Sequence, residues 1–133
     1  MRIYIAFLFI LFSLAGCKST PEKVKANKEK FIQVAKENSK PIDLNNLSDL
    51  YEQTKSNNVE GKMKYLGVDT IQTVYELDRS NGIKLDSIVI FTKSEYKIIY
   101  DFATIKRPNE TIKQNCGLTD FEKIDERLYI GQK

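Results

Sequence analysis

The chain has 133 residues, with 21 Lys and Arg against 18 Asp and Glu, two cysteines and no histidine. This near-balance of charge argues against a nucleic-acid binder, which carries a strong basic excess on its domain. Without histidine there is no imidazole for acid–base work, for a Ser-His-Asp or Cys-His nucleophile, or for metal ligation, and a zinc site of Cys and His is equally excluded.

The first segment has the three parts of a secretory signal. Arg2 supplies a positive start, Ile3 to Leu14 form a nearly unbroken apolar run, and small residues lead to a processing point. At about a dozen residues the run is too short to span a bilayer as a helix, which takes roughly 20. It ends in Leu14-Ala15-Gly16-Cys17. This tetrapeptide resembles the lipobox of bacterial lipoproteins: a branched apolar residue, two small residues and the cysteine that receives lipid. The resemblance covers about the first twenty residues. It implies diacylglyceryl transfer to the Cys17 sulfur, cleavage between Gly16 and Cys17, and a further acyl chain such as palmitate on the new amine. Two or three chains anchor a protein stably where one binds only marginally. The implied partner is therefore the lipid bilayer. Lys18 stands where an inner-membrane retention signal of that family has Asp, so the analogy favours the outer membrane, facing the periplasm; surface display is a further option. With Cys17 acylated, Cys116 has no partner within the chain.

Residues 17–23 read as a lipidated tether and 24–133 as a single domain. Residues 18–40 hold seven Lys against three Glu, so a basic excess sits beside the lipid. It either rests on anionic headgroups or belongs to a solvated linker. A first helix is predicted to about Glu37, with Thr20 as N-cap, Pro21 in the first turn and Val24, Phe31, Val34 and Ala35 as its apolar stripe. A second is predicted from about Leu44 to Thr54, capped by Asp43. Beyond Asn58 the period changes to alternation. Gly61 to Val68 is a possible strand. Ile71, Thr73, Tyr75 and Leu77 share a face; Ser80-Asn81-Gly82 supplies a turn; Ile83 to Thr92 follows; and Tyr96, Ile98, Tyr100 and Phe102 share a face after Lys93-Ser94-Glu95. Residues 104–119 read as an exposed loop, and Phe121 to Ile124 and Leu128 to Ile130 as two short strands. Helices followed by strands predict an α+β fold: one or two N-terminal helices, then an antiparallel meander of four to six strands, half-covered so as to hide one apolar face.

Each chemically interesting group has an ordinary explanation beside it. Cys116-Gly117 invites a thiol-nucleophile reading, but no histidine is available to lower the thiol pKa, and a small buried side chain explains it, with an intermolecular disulfide as a third option. Asp120, Glu122, Asp125 and Glu126 are the densest acidic group; they lack a calcium-loop signature, and solvated turns account for them. Glu60 and Asp69 need nothing beyond a polar surface. Tyr75, Tyr96 and Tyr100 are the candidate ligand or partner surface, because a phenol can face a wet cleft, although strand aromatics usually belong to a core. No catalytic residue, metal ligand or cofactor is expected. The chain reads as a membrane-anchored, non-enzymatic binding module of the envelope with a protein partner there. The alternatives are an immunity-type inhibitor of an envelope toxin, or a small-ligand binder or hydrolase with a sheet-lined groove.

Overall fold

A computed structural model describes residues 19–39, 42–43, 45, 59–77, 84–103 and 107–133. The signal segment with Cys17, most of the helix expected from Leu44 and the Ser80-Asn81-Gly82 turn lie outside the described residues. Four helices and six strands are described: α1 Thr20–Ala26, α2 Lys28–Asn38, β1 Ile42–Asp43, α3 Val59–Leu66, β2 Thr70–Leu77, β3 Lys84–Lys93, β4 Tyr96–Asp101, α4 Asn109–Asn115, β5 Asp120–Lys123 and β6 Leu128–Gln132. All strand pairs are antiparallel, and the main order across the sheet is β2-β3-β4-β6-β5. Leu85 opposes both Leu77 and Ile42, so the short β1 lies on the β4 side of β3, in line with β4. The α+β class, the N-terminal helices and the three-stranded meander are as the sequence predicts.

The helical region begins one residue earlier than expected. Ser19, not Thr20, is the N-cap. Its hydroxyl accepts from the Glu22 N–H at 3.4 Å while the Glu22 carboxylate accepts from the Ser19 N–H at 3.3 Å, a reciprocal capping box. Residues 20–23, read both as tether and as the start of the helix, are helix. The predicted single helix is also broken at Asn27 (φ −115°, ψ 20°), whose side-chain amide donates to the Lys23 carbonyl at 2.8 Å. That bond satisfies a helix-end carbonyl and lets the chain restart as α2.

Register explains the two faces of the sheet. One carries Val89 and Phe91 of β3, Ile98 and Tyr100 of β4, and Leu128 and Ile130 of β6, packed under Val24, Phe31, Val34 and Ala35 of α1 and α2. Phe31 meets Phe91 edge to face, with centroids 5.2 Å apart. The other face is not left polar, contrary to the half-covered sheet expected. Ile88, Ile99 and Tyr129 pack there against Ile112, Cys116 and Leu118. The cover comes from α4, in the segment read as an exposed loop. Its seven residues contribute one fully buried side chain, Ile112, too faint a stripe to be seen as a period.

Val59–Leu66 is likewise a helix where a strand was considered for Gly61 to Val68. Met63 and Leu66 turn toward the core while Lys64 and Tyr65 point out. The helix stops at Gly67 (φ +66°), where the Gly67 N–H donates to the Lys64 carbonyl and the Val68 N–H to the Met63 carbonyl. Gly117 (φ +65°) ends α4 by the same device, with Leu118 bonded back to Lys113. Each is a left-handed glycine followed by an apolar residue that tucks into a core, a helix stop that an L side chain would strain.

Close approach sets one further glycine. Gly131 of β6 lies between Lys97 and Phe121, and a Cβ there would overlap the Asp120 carbonyl oxygen and sit 2.7 Å from Leu118 Cδ1. Gly131→Ala is expected to lower unfolding free energy by about 1–3 kcal/mol, read as an earlier urea midpoint with an unchanged slope.

Candidate functional site

The lysines of the helical layer divide into two groups. Lys25 pairs with Glu122 at 2.5 Å and Lys28 with Asp125 at 3.1 Å, fastening α1 and α2 to the β5–β6 hairpin. Lys62 reaches Glu37 at 4.0 Å and Asn38 Oδ1 at 3.4 Å, tying α3 to α2. The acidic group of the hairpin is thus partly explained as exposed ion-pair partners, each worth at most about 1 kcal/mol. A backbone N–H from Glu126, with Lys28 beside it, holds the Asp125 carboxyl below the usual carboxylate range.

Lys23, Lys30, Lys64 and Lys93 form the second group and converge on one cleft of about 320 Å³. Its walls are Thr20, Lys23 and Asn27 from the start of the helical layer, Lys30 from α2, Lys64 to Gly67 from the end of α3, and Lys93 from β3; Val24, Phe31 and Leu66 give it apolar surface. Among the described residues no carboxylate lines the cleft, and none of these four ammonium groups has a carboxylate partner. Tyr65 stands at the cleft with 55% of its surface exposed, and Lys30 Nζ lies 5.3 Å from its ring centroid. Local structure puts each group there. The Asn27 break turns α2 against α1, the Gly67 stop ends α3 with Lys64 and Tyr65 outward, and the Asp69 carboxylate accepts the Ser94 N–H at 2.8 Å to brace the turn after Lys93. Four like charges beside one cleft give it a positive potential, and Tyr65 with Val24, Phe31 and Leu66 adds aromatic and apolar surface.

The tyrosines singled out from the sequence do not make a common site. Tyr75, Tyr96 and Tyr100 share a sheet face, but Tyr75 opposes Ser87 and Tyr96 opposes Lys93, which puts them about 20 Å apart along β3. Tyr100 is buried against Phe102 with centroids 4.7 Å apart, and burial pushes its phenol pKa up, which corrects its reading as a cleft-facing group. Tyr96 is half-buried and bonded to Gln132 Nε2 at 3.3 Å. Among the described tyrosines, Tyr65 is the exposed one. Placing Val59–Leu66 on a helix would have found it, opposite the inward Met63 and Leu66.

One buried carboxylate was also passed over. Asp101 is 2% exposed; its Oδ1 accepts the Ala103 N–H at 2.9 Å, with Arg107 Nε at 3.7 Å. Arg107 also lies 2.7 Å from Glu76, which faces the buried Asp86 across the strand pair. Arg127 donates to the carbonyls of Asp101 and Ala103 at 3.0 and 2.6 Å. Asp101 is not among the residues that line the lysine cleft. The arrangement fastens the chain on either side of residues 104–106 to the sheet. Cys116 is buried with its thiol pKa raised by that burial, the wrong direction for a nucleophile.

An α+β domain with a cationic cleft in its helical layer is the class these features define. No protein-family model, curated protein or solved structure matches the chain.

Burial raises the Asp101 pKa, outweighing the Ala103 bond and the two arginines. The folded state therefore binds a proton more readily than the unfolded chain. Stability from this group is fully present below the unfolded carboxylate pKa and is lost as pH rises through the higher folded value. Asp101→Asn is expected to remove that fall from the acid limb of a stability–pH curve measured by urea denaturation; an unchanged limb would refute the assignment.

Proposed function

We propose that this chain is an envelope lipoprotein, anchored through acylated Cys17, whose domain is a non-enzymatic binding module for a negatively charged envelope component. The observation that carries this reading is the cleft itself: four lysines with no lining carboxylate among the described residues, an exposed tyrosine, and Thr20 in its wall, three residues beyond Cys17. The lipobox-type signal supports the anchor, and Lys18 after the cysteine supports the outer membrane, facing the periplasm. The site chemistry supports binding over catalysis. The Asp101 carboxylate, with its raised pKa, lies beside Arg107, and among the described residues the cleft holds lysines without an acid beside them to share a proton.

Two measurements test the reading. Mass spectrometry of the isolated protein is expected to find Cys17 as the first residue carrying diacylglyceryl, with Cys17→Ala released from the membrane fraction. A photoreactive side chain in place of Tyr65 is expected to capture an envelope component that the same group in place of Tyr75 does not. Capture at position 75 alone would move the binding face to the sheet.

A further inference from the structure

We infer that the lysine-lined cleft takes phosphodiester headgroups of the bilayer that holds the anchor, so that the domain lies against the membrane instead of standing off from it. This rests on the lipoprotein reading of Cys17 and names the ligand class of the same cleft. The covalent chain supplies the first argument. From Cys17 to Thr20 is three residues, spanning at most about 11 Å when fully extended. Thr20 is both the first helical residue and part of the cleft wall, because the Ser19–Glu22 capping box starts the helix at once. A headgroup layer is roughly 5–8 Å deep on each side of the hydrocarbon. The cleft is thus held within reach of that layer by the anchor itself.

The second argument is chemical. A lysine acts on phosphate as a point charge rather than as a planar fork, so four of them favour net negative charge over any one headgroup shape. Phosphatidylglycerol, with its uncompensated phosphate, fits; a zwitterionic headgroup brings its own cation in among four lysines and does not. Tyr65 at the cleft suits a membrane interface, where one part of a side chain is wet and the other apolar. The third argument is allocation. Lys25, Lys28 and Lys62 are taken up by Glu122, Asp125, and Glu37 with Asn38, whereas the cleft lysines have no carboxylate among the described residues.

The test uses the acylated protein in vesicles of phosphatidylcholine alone and of phosphatidylcholine mixed with phosphatidylglycerol. A limiting amine-reactive reagent is added, and labelling at each lysine is read by mass spectrometry. Lys23, Lys30, Lys64 and Lys93 are expected to label about five-fold more slowly on the anionic vesicles. Lys36 and Lys123, exposed outside the cleft, serve as the reference and are expected to change little. Protection is expected to fade as salt shortens the screening length below about 8 Å. Lys30→Gln with Lys64→Gln, which keeps two good helix formers, is expected to remove the protection of Lys23 and Lys93. Equal labelling on both vesicles overturns the inference, as does protection spread evenly over all lysines. Inorganic phosphate added to the phosphatidylcholine vesicles separates the sources: protection as strong as that on the anionic vesicles would make the ligand a soluble anion and overturn the membrane assignment. A protein found without acyl chains fails the lipoprotein reading instead, and its co-sedimentation with the same two vesicles then reads the cleft separately.

Discussion

Everything in this fold is arranged around a strand that is apolar on both sides. β3 runs ten residues through Ile88-Val89-Ile90-Phe91, paired with β2 along one edge and with β4 and the short β1 along the other. Successive side chains point to opposite faces, so Val89 and Phe91 need cover from one direction and Ile88 and Ile90 from the other. An antiparallel sheet can leave one face in water, but only if that face is polar. Here neither is. The helices α1 and α2 meet the first demand. The second recruits α4, a helix too short to be stable alone, together with Leu118 and the stacked pair Phe121 and Tyr129 at 5.1 Å.

The cleft follows from how the first layer is assembled. Two helices separated by a break, and a third that ends in a glycine stop, cannot cover a sheet without leaving a gap where their ends meet. The gap is lined by residues of those ends and of β3, with four lysines and Tyr65 around the apolar surface of Val24, Phe31 and Leu66. Nearby, the same residue type is used differently: Lys25 and Lys28 fasten the layer to the β5–β6 hairpin through ion pairs. Lysines held in ion pairs and lysines that line the cleft sit on neighbouring turns of one helical layer. The Arg107 cluster on the other side of the sheet shows the architectural use in buried form, with arginine set against Asp101 and Glu76.

The strands were legible because their signal is local. Alternation from Ile71 to Leu77, the β-branched run before Thr92 and the turn at Ser94 each state a period within a few residues. The stripe of Val24, Phe31, Val34 and Ala35 was weaker, because Lys28 interrupts it, and the break at Asn27 was hidden, since it depends on one side chain bonding to the backbone four residues back. Val59–Leu66 and Asn109–Asn115 were misread because each offers few inward residues. Their clearest marks were the glycines at 67 and 117, each followed by an apolar residue. Of the cleft, the basic excess of residues 18–40 was visible, but Lys64, Tyr65 and Lys93 come from distant segments.

By itself the sequence determined the local periods, the excluded chemistries and the resemblance to lipoproteins at Cys17, because each of these depends on neighbours along the chain. Tertiary structure decided that both faces of the sheet are covered, that Tyr100 and Asp101 are buried, and that four lysines from four segments share one cleft. Those outcomes depend on which surfaces meet. A side chain's exposure, and the charge that accumulates around it, are set by residues far away in the chain that packing brings within a few ångströms.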